Sequence, residues 1–160
     1  MVALEYTGQT LIRFDDHSYR WIEIRRFACH RHASDEEILA GLIGHARYRD
    51  DFLSPDPREV ETVHGPYRAA EISPSSFERS DQNQAAAVVE EFCGLDKSPP
   101  RPDVRERIDR DVLLALQNYR CYRLKALPHA IHEYGSVLWE FRELVAINNG
   151  SVLLVVMAID

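Results

Sequence analysis

The chain is poor in the residues and patterns on which nucleotide enzymes depend. Its 160 residues include only seven glycines, and these form neither a phosphate-binding loop nor a dinucleotide-binding fingerprint. The chain also has no His-Glu-x-x-His sequence of a metalloprotease and no Gly-x-Ser-x-Gly turn of a serine hydrolase. These absences argue against a nucleotide-dependent enzyme and leave no recognisable catalytic motif.

Cysteine is scarce as well. The three cysteines, Cys29, Cys93 and Cys121, are odd in number and widely spaced, which is not the pattern of a disulfide framework. Free thiols predict a reducing compartment, and we expect the protein in the cytoplasm. The N-terminal stretch MVALEYTGQTLIRF shows neither the basic start nor the apolar run of a signal peptide. The apolar end, SVLLVVMAID, is too short to span a bilayer, so no membrane association is expected.

The charge of the chain is negative and evenly spread. It has 26 acidic and 19 basic residues, which gives a formal net charge of −7 at pH 7. Binding to a phosphate backbone needs a concentrated positive surface, so we expect no nucleic-acid partner. An acidic surface instead suits a basic protein partner.

Length and composition predict one domain. A chain of 160 residues with 45% hydrophobic and 28% charged residues is typical of a single soluble globular domain, which we place over 1–160. The stretch DKSPPRP at 96–102 is rich in proline and is predicted to be a stiff internal linker. No internal repeat or low-complexity run divides the chain further.

Helix and hairpin signals together predict the fold class. Ser34 followed by Glu37 is a capping box that begins a helix, and apolar stripes at helical spacing predict helices over about 80–92 and from 103 onward. TLIRF and YRWIEIRRF flank a turn near the N-terminus, and Asn149-Gly150 joins two apolar strands near the C-terminus. We predict an α+β fold: one antiparallel sheet built from N-terminal and C-terminal hairpins, with about three helices packed mainly on one face.

Two aromatic residues of the second predicted strand are candidates for binding a protein partner. Tyr19 and Trp21 point to the same side of the second predicted strand, opposite its isoleucines. If that side is exposed, Tyr19 and Trp21 are binding anchors, because aromatic side chains are enriched at the cores of protein interfaces. Trp139 shares a face of a later strand with Phe141 and further apolar residues.

One histidine is a candidate for catalysis. His64 precedes Gly65-Pro66 at a predicted strand bend, where a rigid backbone would position it. Histidine can act as a general base near neutral pH. The alternative is an ordinary surface or capped histidine, since no nucleophile can be assigned beside it.

Two spaced pairs offer metal ligands. Cys29 with His32 and His129 with His132 could supply the four ligands of a tetrahedral zinc ion. Both pairs lie at predicted element ends, where a metal would tie the two hairpins together. The alternative is two unrelated polar connections beside the sheet. No other cofactor is indicated.

The leading hypothesis is a small acidic protein-binding module: an inhibitor, an immunity-type protein or a chaperone-like partner. The alternative is an enzyme or ligand-binding domain that uses a His-containing cleft, with or without a metal. A third interpretation is a structural homodimer joined through an exposed sheet edge.

Overall fold

The computed structural model of the protein describes residues 2–53, 60–95, 98–135 and 138–159. The predicted linker at 96–102 lies partly outside these ranges. Of its described residues, 98–101 are irregular and Pro102 already begins a helix.

Antiparallel strands from both ends of the chain form the main sheet. The described strands are β1 (Glu5–Arg13), β2 (Arg20–Ala28), β3 (Val63–His64), β4 (Tyr67–Arg68), β5 (Phe77–Ser80), β6 (Arg120–Leu124), β7 (Glu140–Asn148) and β8 (Ser151–Ile159). Six of them form one sheet in the order β1-β2-β8-β7-β6-β5, and β3 pairs with β4 in a separate ribbon. The hairpin β1–β2 therefore lies beside the hairpin β7–β8, which confirms the predicted sheet.

Helices fill the middle of the sequence. They are α1 (Asp35–Ile43), α2 (Gln82–Cys93), α3 (Pro102–Ile108) and α4 (Leu114–Leu116), with a π-helical segment (Asp109–Leu113) that joins α3 to α4 without a break. The predicted capping box begins α1: Ser34 Oγ accepts a hydrogen bond from Glu37 N at 3.2 Å, and Glu37 Oε1 accepts one from Ser34 N at 3.3 Å. Among the described helices, none has the length and apolar character needed to cross a membrane.

Both faces of the sheet are covered, as the side chains of β2 show. Ile22 belongs to a core shared with Phe92 of α2 and Ile108 of α3. Trp21 points the other way, into a core that includes Leu42 of α1. Two helical runs thus lie on one face and α1 lies on the other, in the predicted α+β class. Burial from both sides explains why β8 is apolar along almost its whole length.

Candidate functional site

Three strand ends meet at one edge of the molecule and surround a pocket. Arg20 at the start of β2 pairs with Ile159 of β8, and Ile159 pairs with Glu140 at the start of β7. The pocket has a volume of about 560 Å³. We call it the aromatic pocket; the residues that line it are His17, Ser18, Tyr19, Leu95, Trp139, Glu140 and Ile159. Trp139 is 85% exposed and Tyr19 is 70% exposed, the two highest values among the large hydrophobic side chains that the structure describes.

The turn that presents Tyr19 has an unfavourable backbone conformation. Asp15, His17 and Tyr19 have φ angles of 53°, 65° and 59°, in the left-handed region that non-glycine residues seldom adopt. Such a residue costs on the order of 1–3 kcal/mol and persists only where its surroundings impose the conformation. The turn between β1 and β2 must therefore be held in place.

Arg20 holds this turn in place through hydrogen bonds. Its side chain is fully buried, with Nε donating to Ser18 Oγ at 2.8 Å and Nη2 pairing with Asp16 Oδ2 at 3.0 Å. The guanidinium also lies 4.6 Å from the centre of the Phe14 ring. Its remaining hydrogen bonds go to backbone carbonyls at the end of α2 and just after it, those of Cys93 at 2.5 Å, Leu95 at 2.9 Å and Ser98 at 2.8 Å. Arg20 thus fastens the turn to the C-terminal end of α2.

Asp16 completes this support. Its Oδ1 accepts hydrogen bonds from Ser18 Oγ at 2.5 Å and from Ser18 N at 3.1 Å. Burial raises the pKa of Asp16, but the hydrogen bonds from Ser18 and the charge of Arg20 outweigh it, so the pKa lies below its ordinary value. The carboxylate therefore stays ionised at neutral pH and keeps its contact with Arg20.

The opposite wall of the aromatic pocket is fixed by β8. Trp139 N donates to the Ile159 carbonyl at 3.1 Å, just before β7 begins. Glu140 Oε1 accepts from Arg142 Nε at 2.8 Å, and Arg142 Nη1 also pairs with Glu91 at 3.2 Å. Both walls are thus anchored through the backbone or through ion pairs, while the two aromatic side chains project into solvent.

A second group of functional residue types lies inside the protein. We call it the sealed polar cluster; it consists of Glu23, Arg25, Tyr48, Asp50, His64 and Glu143, each at most 2% exposed. Arg25 Nη2 pairs with Asp50 at 2.7 Å and with Glu23 at 3.1 Å, and its Nη1 donates to the Arg47 carbonyl at 2.7 Å. Glu23 and Glu143 lie on either side of Val156 in the sheet register.

Histidine and glutamate form the other half of this cluster. His64 Nδ1 is 2.7 Å from the Tyr48 carbonyl, and His64 Nε2 hydrogen-bonds Glu143 Oε1. A carbonyl only accepts, so Nδ1 carries a proton, and the contact with Glu143 needs a second proton on the ring or the carboxyl. Either arrangement makes the pair neutral overall. Tyr48 OH donates to Glu143 Oε2 at 2.8 Å, and its ring stacks on His64 at 3.7 Å.

Burial changes the acidity of two groups in the cluster. Burial and the neighbouring Glu143 raise the pKa of Tyr48 well above its usual value, which keeps its hydroxyl a donor. Burial, together with the charge of Asp50, also raises the pKa of Glu23, although Arg25 opposes this. Glu23 Oε1 has no hydrogen-bond partner. All six members of the cluster are thus buried, and their charges and hydrogen bonds are met mainly within the protein.

The structure separates the predicted binding anchors. The condition set for both anchors, an exposed side of the strand, holds for Tyr19 and not for Trp21, whose side chain is 3% exposed and stacks on Phe52 at 6.1 Å. Trp139 takes the exposed position instead, because β7 begins only at Glu140 and the tryptophan precedes the strand. The alternation of apolar residues gave no sign of this boundary.

His64 and the predicted zinc ligands lie apart from the aromatic pocket. His64 is fully buried, so it faces no open cleft. Cys29 and His32 line one other pocket of about 310 Å³, where Cys29 Sγ donates to the Arg31 carbonyl at 3.1 Å. His132 Nε2 lies 2.8 Å from the Gly65 carbonyl, and the His129 carbonyl accepts from Arg68 at 2.6 Å. Within the described ranges, no three His, Cys, Asp or Glu residues are grouped so that they could hold a metal.

Comparison with known proteins gives little further information. No protein-family model matches the chain, and no curated protein matches it in sequence. A crystal structure of citrus MAF1 is similar with a TM-score of 0.43 and 13% sequence identity, over 91% of this chain and 92% of that chain. A similarity this low says nothing about the function of the chain.

Proposed function

We propose that this protein is a protein-binding module whose partner docks on the aromatic pocket. The observation that carries the proposal is that Trp139 and Tyr19, the two most exposed large hydrophobic side chains among the described residues, line the same pocket. Tryptophan and tyrosine are the residues that most often dominate binding energy at protein interfaces. Contact between these side chains and water is unfavourable, and burial by a partner would make a favourable contribution to the binding free energy.

The support beneath Tyr19 favours the same function. Arg20 and Asp16 hold the turn in its unfavourable conformation through contacts within the chain. A surface that is already ordered loses less conformational entropy on binding, so more of the contact energy appears as affinity. The net charge of −7 would speed association with a basic partner and disfavour an acidic one.

A rigid, exposed surface suits three kinds of protein-binding module. An inhibitor, an immunity-type protein or a chaperone-like protein needs a rigid recognition surface and no catalytic group of its own. The three free, buried thiols suit a reducing compartment such as the cytoplasm. A second copy of this chain remains an outcome that the experiment must distinguish.

The test is a photo-crosslink followed by affinity measurement. The photoreactive residue p-benzoyl-phenylalanine is placed at Tyr19 in the source cells, and at Tyr134 as a matched control, because Tyr134 is 65% exposed but does not line the aromatic pocket. We expect one partner to be captured from position 19 and not from position 134. The captured partner is then purified and titrated against the Trp139→Ala and Tyr134→Ala proteins.

Trp139→Ala should weaken binding by about 30-fold or more, the loss expected for an interface hot spot. Tyr134→Ala should bind as the unmodified protein does. Equal affinities of the two variants would contradict the proposed site, and capture of this chain alone would show a homodimer instead.

A further inference from the structure

We infer that the aromatic pocket receives a cationic side chain, arginine or lysine, from its partner. The inference rests on the proposed function, and it names the chemistry that the pocket recognises. Two exposed aromatic side chains, one carboxylate and two aliphatic residues surround the same space, together with a histidine and a serine of the turn. This combination matches both parts of a long basic side chain, the apolar stem and the charged head.

The aromatic residues supply the first part of the match. A cation is attracted to the face of an aromatic ring within about 6 Å, most strongly to tryptophan. Within the described part of the chain, four arginines already stand over the rings of other aromatic residues, at 4.6 to 5.4 Å. None of these contacts involves Tyr19 or Trp139, and the side chains of both are mostly exposed, so a cation from outside can approach them.

Glu140 supplies the charge. It is the one Asp, Glu, Lys or Arg among the residues described as lining the aromatic pocket. Arg142 pairs with Oε1 of Glu140 but also with Glu91, so the three side chains together carry one net negative charge. A guanidinium or ammonium group from a partner would meet an incompletely neutralised carboxylate beside two aromatic rings.

Leu95 and Ile159 supply the apolar contact. Both line the aromatic pocket, and both are only partly covered by the rest of the protein. Arginine and lysine bury their methylene stems against apolar surface while the charged head stays near polar groups. A neutral polar side chain would lose the interaction with the rings and with Glu140, and an acidic one would be repelled.

The test uses pentapeptides of the form acetyl-Gly-Gly-X-Gly-Gly-amide, in which X is arginine, lysine, citrulline or norleucine. Citrulline has the shape of arginine without its charge, and norleucine has only the apolar stem. Binding is followed in ¹H–¹⁵N spectra through the indole N–H signals of Trp139 and Trp21, the two tryptophans of the chain. Because Trp21 is buried, its signal is an internal control for structural change.

We expect the Trp139 signal to shift with the arginine and lysine peptides. Affinity should fall about 2- to 5-fold with citrulline and norleucine, the equivalent of one exposed cation–π contact. Glu140→Gln should also weaken the arginine peptide, whereas the matched variant Glu133→Gln, on the exposed surface elsewhere, should not. The Trp21 signal should stay in place in every titration.

Each other result overturns the inference. Equal binding of the arginine, citrulline and norleucine peptides would show recognition by apolar contact alone and would leave the proposed function standing. A shift with none of the peptides would exclude a basic side chain as the recognised element. The crosslink at position 19 would then decide independently whether a partner docks on the aromatic pocket.

Discussion

The aromatic pocket and the sealed polar cluster both depart from the usual burial of residue types: the first exposes aromatic side chains, and the second buries ionisable ones. In the pocket, Trp139 and Tyr19 are exposed although large aromatic side chains normally lie inside. In the cluster, Glu23, Arg25 and Glu143 are buried although residues of these types normally lie outside. The buried residues all have partners in the protein, whereas the exposed rings have none among the described residues. Residue type alone therefore does not show which of the two regions is open to a partner.

The sealed polar cluster ties the segment after α1 to the sheet. Arg25 on β2 holds Asp50, and Asp50 in turn accepts from Phe52 N at 2.9 Å through its side chain and from Gly65 N at 2.7 Å through its carbonyl. Gly65 has a φ of 56°, and a Cβ added there would lie 2.5 Å from the ring of Phe141. The segment that carries His64 is therefore packed closely against β7.

The largest expected effect comes from breaking the cluster at Arg25. Arg25→Met would leave Glu23 and Asp50 buried without their common cation, and we expect a loss of about 3–5 kcal/mol in the free energy of unfolding. Urea denaturation followed by circular dichroism measures it. Arg31→Met is the matched control, because Arg31 is exposed and lies 3.6 Å from Glu37; its loss should stay below about 1 kcal/mol. Similar losses in the two variants would mean that the cluster does not stabilise the fold.

The two tryptophans should differ strongly in what they contribute to stability. Trp21→Ala should cost about 3–5 kcal/mol of unfolding free energy, because it empties a space in the core beside Phe52. Trp139→Ala should change the unfolding free energy by less than about 0.5 kcal/mol, because its side chain is almost fully in solvent. Urea denaturation of both proteins gives the values. A large loss for Trp139→Ala would make it a structural residue and would weaken the proposed function.

Loss of one hydrogen bond in the cluster should have an intermediate effect. Tyr48→Phe removes the donor to Glu143 Oε2 and leaves that buried oxygen with one partner fewer, at an expected cost of about 1–3 kcal/mol in unfolding free energy. Tyr134→Phe is the control, since it removes a hydroxyl from an exposed ring. Thermal denaturation should show a lower Tm for Tyr48→Phe alone, and an unchanged Tm would contradict the bond.

The parts of the structure that sequence could predict depend on neighbouring residues. The capping box of Ser34 and Glu37 needs only four consecutive residues, and the turn at Asn149-Gly150 needs only two. Both features appear where they were predicted, and with them the α+β sheet of terminal hairpins.

The candidate site could not be predicted in the same way, because it depends on strand ends and on register. Trp139 directly precedes β7, so the alternation of side chains within the strand does not fix on which side it lies. The sealed polar cluster could not be predicted either, because His64 and Glu143 are 79 positions apart and no local pattern joins them. The sequence did contain one signal of the cluster. Glu23 and Arg25 lie between the apolar residues Trp21 and Phe27 on the same side of β2, which is the pattern of a buried ion pair.

The smallest expected effect is a change in how stability depends on pH. The pKa of Glu23 is raised in the folded protein, chiefly by burial, above the unfolded value of 4.5. A raised pKa means that the folded protein holds this proton more tightly, so the contribution of Glu23 to stability is full below pH 4.5 and is lost as the pH rises through the folded pKa. Glu23→Gln cannot titrate and lacks this dependence. The unfolding free energy of the unmodified protein minus that of Glu23→Gln should therefore be greater at pH 4.5 than at pH 8, as measured by urea denaturation at both values. A difference that grows toward pH 8 would show that the ion pair with Arg25, and not burial, controls this carboxyl.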